Sequence, residues 1–416
     1  MPDGGAVYGG SRSILTFGRR ALEIAVIEDY ADFRALKRGW QALEAADPHH
    51  TVFLGWSWLD RVFRDNPGAW RVLIVRDPAR GSDPVCILPL RVKTHWSARR
   101  GEFRTILGPA GRLIWSEYVG WLCHPDYDSD AIRMTGAAIK QMPWVQFEMR
   151  YEATDSRLRS FAAAFKEDAA FKVEFPEYRI NQGSVDNLAC PRVDLPDNFE
   201  AFRDGIASKN TRQKLRRMWK RHFRNGDWRV TFSDAETVRR DVDILVGHWL
   251  EKWTPVKGEE QARRVARNYR AILTNAFKTD CLCLAVLWEG DTPLAALGHV
   301  VDHDMDRVHF IVAGRNEDAA DKPVGLLLHA RSIAWAIEHG FSEYDFCHGD
   351  EAYKFHFGAE VTRVGNLRIS RRSRGARGYF DPACRPEAEE QAARLLRKGR
   401  DDEAQAARLF LDATGA

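Results

Sequence analysis

No apolar run in the 416 residues reaches the roughly 18 residues that crossing a bilayer requires. Residues 1–20 are rich in Gly and Ser and lack an apolar h-region. They read as a disordered N-terminus rather than a secretory signal. Cysteine is sparse, and the seven present are odd in number and scattered, which excludes a disulfide framework and fits a reducing compartment. Neither sign of charge dominates. Lys and Arg total 62 against 59 Asp and Glu, so charge gives no reason to expect a nucleic-acid partner. No low-complexity tract interrupts the chain. These absences predict a cytoplasmic protein with no transmembrane segment. What is abundant is core material: 14 Trp, 22 Phe and 44% hydrophobic residues, enough to fold most of the chain. The length suits two domains or three.

Alternating apolar residues predict strands at 22–28, 70–75, 85–92, 116–123 and 144–150, with closing strands at 171–175 and 189–193. The spacing of Phe33, Leu36, Trp40 and Leu43 predicts an amphipathic helix over 31–46. Further helices are expected at 56–63, 130–142 and 158–165. These elements make a first domain, 21–195. From about Pro196 the plan repeats in a second domain, 196–378. Helices are predicted at 198–207, 212–224, 238–253 and 261–278, and strands at 228–232, 282–288, 295–302 and 307–313. A helix at 323–339 has Pro323 at its start and Gly340 just past its end. A strand at 344–347, a short helix near Tyr353 and a hairpin over 361–369 follow. Residues 379–416 carry a charged amphipathic helix, 387–411. The fold class is α/β (α+β), each domain a mixed, mostly antiparallel sheet flanked by helices.

The richest stretch is 310–357. A strand ends at Gly314, and Lys322-Pro323-Val324-Gly325-Leu326 opens a helix. Unpaired N–H groups and the positive end of the dipole suit a pyrophosphate there. Gly325 would let a phosphate approach the backbone, and Lys322 would add charge. The plain alternative is a loop before a Pro-capped helix, and Glu317, Asp318 and Asp321 oppose an anion unless they face away. Next comes Tyr344-Asp345-Phe346-Cys347-His348-Gly349-Asp350-Glu351-Ala352-Tyr353-Lys354. The Tyr353 phenol could protonate a leaving thiolate, and His348 or Asp350 could accept a proton from an amine or hydroxyl. Asp350 could equally cap the helix. Lys354 would orient the acceptor.

Residues 209–224 are basic at nearly every second or third position and contain no acid. They form either a solvated face or a grip for a phosphate-bearing ligand through Arg212, Lys214 and Arg216. Arg368, Arg371, Arg372, Arg374 and Arg377 offer a site for a regulatory nucleotide. His299, His303 and His309 follow strand spacing without a ligand pattern, so no metal site is predicted.

This order of elements, with the basic run, His248 beside Trp249 and Trp253, the helix opening at Pro323 and the segment YDFCHGDEAYKFHFG, resembles the GNAT acyltransferase superfamily. Within it, the chain looks most like the cellulose-biosynthesis acetyltransferase (CelD-like) branch. The resemblance covers about 195–370, and the first half shares only architecture. Cys347 stands where that branch usually has Gly, and Val324 separates Pro323 from Gly325. The resemblance implies two tandem GNAT-like domains, as in FemAB-type transferases. It implies acetyl-CoA or another acyl-CoA as co-substrate, with no permanently bound cofactor. The pantetheine would lie between strands 307–313 and 343–347, touching Val312 and Ala313, with Lys322, Val324, Gly325 and Leu326 at the pyrophosphate. Tyr353, Lys354, His348 and Asp350 would carry direct attack on the thioester, and His248 and Trp253 would join the basic helix at the acceptor.

At the corresponding helix start of the first half stand Asp126, Asp128 and Asp130, which would repel a pyrophosphate. That domain is expected to shape the acceptor cleft without binding CoA. Trp56, Trp58, Trp115 and Trp121 either stack on sugars or fill its core. The activity implied is N- or O-acylation of a sugar or nucleotide-sugar acceptor in extracellular polysaccharide synthesis, with that machinery as a partner. The alternatives are a FemAB-like aminoacyl-tRNA-dependent transferase and a non-catalytic GNAT-like scaffold that binds a nucleotide or partner.

Overall fold

The chain begins with a hairpin in which β1 (Ser13–Phe17) runs antiparallel to β2 (Arg20–Ile27). The expected disorder of 1–20 therefore does not hold at 13–17. The computed structural model describes residues 13–17, 20–206, 208–319, 321–372 and 379–414. The predicted helix 31–46 is two helices, α1 (Tyr30–Ala35) and α2 (Lys37–Ala46). The N–H of Leu36 bonds the Phe33 carbonyl only three residues back, tightening the turn and breaking the helix. The carboxylate of Asp29 caps α1 through the N–H groups of Ala31 and Asp32. There follow α3 (Trp56–Asp65), β3 (Trp70–Arg76), β4 (Pro84–Ser97), β5 (Glu102–Pro109), β6 (Leu122–Cys123), α4 (Asp128–Ile139), β7 (Gln146–Glu152), α5 (Asp155–Lys166) and β8 (Phe171–Glu174). The strand predicted at 116–123 shrinks to β6, because Trp115 and Tyr118 have φ of 63° and 42°, which no strand allows.

The short β9 (Arg179–Ile180) and β10 (Val185–Asp186) pair with each other. Then come β11 (Ala189–Asp194), α6 (Phe199–Gly205), α7 (Lys209–Trp219), β12 (Trp228–Phe232), α8 (Val238–Lys257), α9 (Glu259–Lys278), β13 (Leu282–Glu289), β14 (Thr292–Asp302) and β15 (Arg307–Arg315). Helix α10 (Val324–Glu338), β16 (Glu343–Asp345) and β17 (Glu360–Arg363) complete this part, before β18 (Gly365–Arg371), α11 (Arg385–Arg397) and α12 (Asp401–Thr414).

Two units result, Met1–Glu177 with Val364–Ala416, and Tyr178–Arg363. The first sheet runs β1-β2-β3-β4-β5-β7-β18-β8 and the second β12-β13-β14-β15-β16-β11-β17. Each has one parallel pair, β5 with β7 and β15 with β16, among antiparallel neighbours. From β2 onward the first sheet corresponds strand for strand with the second, β1 being an extra edge strand, and in both the strand next to the last enters out of sequence. This corrects the predicted boundaries. Strand β11, assigned to the first domain, lies in the second sheet between β16 and β17. The hairpin predicted over 361–369 does not form, because β17 stays in the second sheet while β18 crosses into the first, between β7 and β8. The C-terminal helix predicted over 387–411 is interrupted at Gly399 (φ 68°), and Ala388, Ala392, Ala407 and Leu411 bury against the core of the first unit.

In that unit Trp56, Trp58 and Trp121 are core residues. The Trp58 and Trp121 N–H groups bond Ser116 Oγ at 2.9 Å and Thr135 Oγ1 at 3.1 Å, so neither indole can face a sugar. Arg157 is buried with Asp47, at 2.8 and 2.9 Å, and its Nε holds Asp128 at the start of α4 at 2.8 Å. The pair is buried; removing either member would strand a charge. Nearby, the carboxylate of Glu152 is buried and accepts from the Thr154 N–H at 3.0 Å. Gly120 makes room for it, since a Cβ at 120 would overlap the carboxylate. Burial pushes the Glu152 carboxyl up to about 8, with Arg157 opposing the shift.

Candidate active site

The second sheet opens where β15 and β16 part. They pair in parallel at Arg307–Glu343, Val308–Tyr344 and His309–Asp345 and no further. One step on, β15 carries an extra residue. Gly298 pairs with Val312 and His299 with Phe310, leaving Ile311 as a bulge. A bulge bends its strand and increases the local twist. From residue 310 onward β15 has no ladder pair with β16, and this fork, where the two strands part, is the candidate wedge for a ligand. Val312 is buried and Ala313 exposed on this stretch. Gly314 lets α8 approach, because a Cβ there would collide with the Leu245 carbonyl and lie 3.0 Å from His248 Cβ.

Helix α10 follows the wedge. Its N-terminus has no side-chain cap. Val324 is buried and offers the backbone alone, Leu326 is half-buried, and a Cβ on Gly325 would meet nothing within 4 Å. The start of α10 is therefore open, with N–H groups suited to an anion. Lys322 stands beside it but is tied to Glu289 at 2.6 Å, so its charge is already shared. This pairing holds the Glu289 carboxyl below its usual range, helped by the hydrogen bond from Trp228.

After β16 the chain turns sharply. Asp345 accepts from the Cys347 N–H at 2.7 Å, and Cys347 and Gly349 take φ of 51° and 94°. The left-handed conformation explains why glycine suits position 347 and shows that cysteine tolerates it here. The turn is held from within by Lys354, which is 2% exposed. Its ammonium donates to the carbonyls of His348 at 2.6 Å and Gly349 at 2.8 Å and pairs with Glu351 at 3.0 Å. Lys354 is a clamp for the loop and cannot orient an acceptor, contrary to the sequence reading. Asp350, read as a proton acceptor or else a helix cap, does not cap the helix. Its carboxylate accepts from the Asp186 N–H at 2.7 Å, bracing the loop against β10. His348 Nδ1 lies 3.4 Å from the Cys190 thiol. Tyr353 precedes a 3₁₀ turn over Lys354–Phe357 and is 38% exposed. Desolvation of its phenol, and then Glu351, raise its pKa above the ordinary value, so it stays protonated at neutral pH. A protonated phenol is what a leaving thiolate needs.

His309, Asp345 and Cys347 come together at the base of the turn, with one donor atom each within 4.8 Å of the others. The sequence predicted no metal there. The arrangement could hold a cation, although His309 Nδ1 already meets Asp345 Oδ2 at 3.2 Å.

The acceptor residues are spread over two helices. Arg212 donates to the Ile206 carbonyl, Lys214 is exposed, and Arg216 pairs with Asp204 at 2.6 Å. Arg216 also lines a cavity of about 220 Å³ with Phe199, Arg203, Trp219, Lys220 and Arg224. A single π-helical stretch, Lys220–Arg224, extends α7 at this point. On α8, Trp253 is half-buried with Lys257 4.8 Å from its ring, and the buried His248 Nε2 has no hydrogen-bond partner among the described residues. Of the second arginine cluster, Arg374 and Arg377 lie outside the described residues. Arg368 pairs with Glu148 at 3.2 Å, and Arg371 donates to the Lys140 and Met142 carbonyls at 2.5 and 3.0 Å. These two serve the first sheet.

Sequence reasoning gave no role to three residues at the fork, His299, Tyr344 and His329, which are linked by hydrogen bonds of 2.8 and 2.9 Å. A signal was present, since His329 is the one titratable residue on the buried face of α10.

No curated protein sequence matches this chain. Residues 209–355 match the family model described as an acetyltransferase (GNAT) domain. Among solved structures, FemX is similar at 12% identity and a TM-score of 0.55, covering 80% of this chain and 95% of that one. A conserved protein of unknown function from Bacteroides thetaiotaomicron VPI-5482 is 12% identical, with a TM-score of 0.48 and 83% and 99% covered. A tandem GNAT protein from the clavulanic acid biosynthesis pathway is 12% identical, with a TM-score of 0.48 and 85% and 100% covered. No helix among the described residues is long and apolar enough to cross a membrane. Residues 209–355 thus match a GNAT acetyltransferase domain, and the chain as a whole shares its mixed α/β fold with FemX.

Proposed function

We propose that the protein transfers an acyl group, acetyl in the simplest case, from CoA to an amine or hydroxyl of a sugar or nucleotide-sugar used in polysaccharide synthesis. The observation that carries the donor half is the parting of β15 and β16 after His309 and Asp345, followed directly by the uncapped start of α10. A pantetheine arm can pair with the free edge of β15 while its pyrophosphate rests on the N–H groups around Gly325. The neutral phenol of Tyr353 then protonates the departing thiolate. The acceptor half rests on the cavity of α6 and α7, where cations and the rings of Phe199 and Trp219 suit a phosphate-bearing ligand with a flat or apolar portion. The sugar class itself comes from the sequence resemblance.

A thermal-shift series with acetyl-CoA, longer acyl-CoAs and nucleotide-sugars tests the proposal. A ligand at about 100 times its Kd should stabilise the protein by about 2.7 kcal/mol. The FemAB-like alternative keeps one supporting feature, the acid-free basic face of α7. It gains if no acyl-CoA shifts the melting curve while copurifying RNA is lost from an Arg212→Gln, Lys214→Gln, Arg216→Gln variant. The likeness to FemX is one of fold and does not choose between donors.

A further inference from the structure

Beneath the wedge lies a polar chain inside an otherwise apolar core. His299, on β14, is fully buried, and its Nδ1 is 3.0 Å from the Cys283 carbonyl oxygen. A carbonyl only accepts, so this nitrogen carries a proton. Burial pushes the imidazole down to about 4, so the ring is neutral and its Nε2 is an acceptor. The group 2.8 Å from that Nε2 is the Tyr344 hydroxyl, which donates its one proton there. The Tyr344 oxygen is left to accept from the next nitrogen, Nδ1 of His329 at 2.9 Å. His329 is therefore the Nδ1–H tautomer. Its Nε2 bears a lone pair that meets no hydrogen-bond donor among the described residues.

The surroundings of His329 show what that lone pair is for. Its ring centroid is 4.7 Å from Phe310, 5.4 Å from Phe346 and 5.6 Å from Tyr353. Phe310 and Phe346 are the first residues beyond the last β15–β16 pair, so His329 stands at the fork of the two strands, beside the Tyr353 ring. The titratable and charged groups facing it are His299, Tyr344, Tyr353 and Lys354. Burial, with His299 and Lys354, keeps its pKa well below the ordinary value. The ring is 3% exposed, and Nε2 is not among the side-chain atoms that are both cut off from solvent and unpaired, so this acceptor is reachable from outside.

We infer that His329 is the proton acceptor of this site, presented to the wedge as the Nδ1–H tautomer by the chain Cys283–His299–Tyr344. The inference rests on the acyl-CoA reading above. In the step, the acceptor nitrogen or oxygen forms its bond to the thioester carbon and gives its proton to His329 Nε2. The C–S bond breaks, and the sulfur takes the Tyr353 proton. The imidazolium and the adjoining phenolate then exchange a proton, which restores both. His299 and Tyr344 are positioning residues.

The experiment uses the full chain with ¹⁵N-labelled histidine and acetyl-CoA as the probe. At neutral pH both His299 and His329 should appear as neutral Nδ1–H tautomers, and the His329 Nε2 signal should move as acetyl-CoA saturates the protein. Tyr344→Phe should turn His329 into a mixture of tautomers with acetyl-CoA affinity within about threefold of wild type. His329→Gln should slow thiol release from acetyl-CoA by about 100-fold or more, again with little change in affinity. An Nε2–H or doubly protonated His329 at pH 7, an unmoved Nε2 signal in saturated protein, or an unchanged rate in the Gln variant would overturn the inference and leave the donor site intact. Failure of wild-type protein to bind acetyl-CoA at all, seen as no thermal shift, would remove the donor reading and the inference with it.

Discussion

The ammonium of Lys354 lies 2.6 Å from the carbonyl oxygen of His348, six residues before it, and closes the turn that follows β16. Lys354→Met should cost about 3 kcal/mol, because the carbonyls of His348 and Gly349 and the carboxylate of Glu351 lose their partner in a buried place. Urea unfolding measures this. Lys354→Arg should not restore the loss, since a flat guanidinium cannot converge on the same oxygens as a point charge. A Met variant as stable as wild type would mean that the turn holds itself.

Gly325→Glu tests the donor site with little structural interference. A side chain at 325 meets no atom within 4 Å, so the variant should fold and melt normally. A carboxylate on the phosphate platform should weaken acetyl-CoA binding by more than about tenfold, equivalent to about 1.4 kcal/mol. Calorimetric titration would show it, and unchanged affinity would move the pyrophosphate elsewhere.

Tyr353→Phe removes one hydroxyl. If that hydroxyl protonates the thiolate, turnover should fall by about 10²- to 10⁴-fold while acyl-CoA affinity stays near wild type. If Tyr353 only packs, the variant should lose about 1 kcal/mol of stability and keep its rate. Thiol release and a melting curve on the same preparation decide between these.

Glu152 predicts a pH dependence of stability. Its carboxyl titrates near 8 when folded, against an ordinary 4.5. Between those values the native state keeps a proton that the unfolded chain has lost, so stability declines as pH rises from about 4.5 to about 8 and then levels. The slope is on the order of 1 kcal/mol per pH unit. Glu152→Gln keeps an oxygen for the Thr154 N–H and removes the titration. The variant should therefore gain on wild type progressively between pH 5 and pH 8 in urea unfolding, and parallel curves would assign the decline to other groups.

The sequence carried the architecture well because periodicity reports which face of an element is buried. The helix start at Pro323, the three antiparallel strands before it and the paired plan of the halves were all legible. Strand exchange was not, since Ala189–Asp194 and Gly365–Arg371 look the same whichever sheet receives them. The turn after β16 was recognised as rich in polar groups, but Lys354 and Asp350 were given chemical roles when they hold backbone. A charged side chain facing inward cannot be told from one facing a ligand by its place in the chain. His299 was set aside and His329 overlooked for a related reason. Their significance lies in a hydrogen-bond chain through Tyr344 that joins positions 45 and 15 residues away from that tyrosine.

The out-of-sequence strands bear on how the chain can be made and cut. Among the described residues strand β8 pairs only with β18, so during synthesis the first sheet stays unfinished until residues 365–371 leave the ribosome, after the whole second unit. Until then β7 and β8 present raw edges open to wrong partners. The second sheet has the opposite dependence, for β11 precedes its other strands and β17 has no other partner among the described residues. Cutting at the apparent repeat boundary near residue 195 would therefore leave each piece holding a strand that belongs to the other. A stable excised second unit has to begin before Ala189 and end by Arg363.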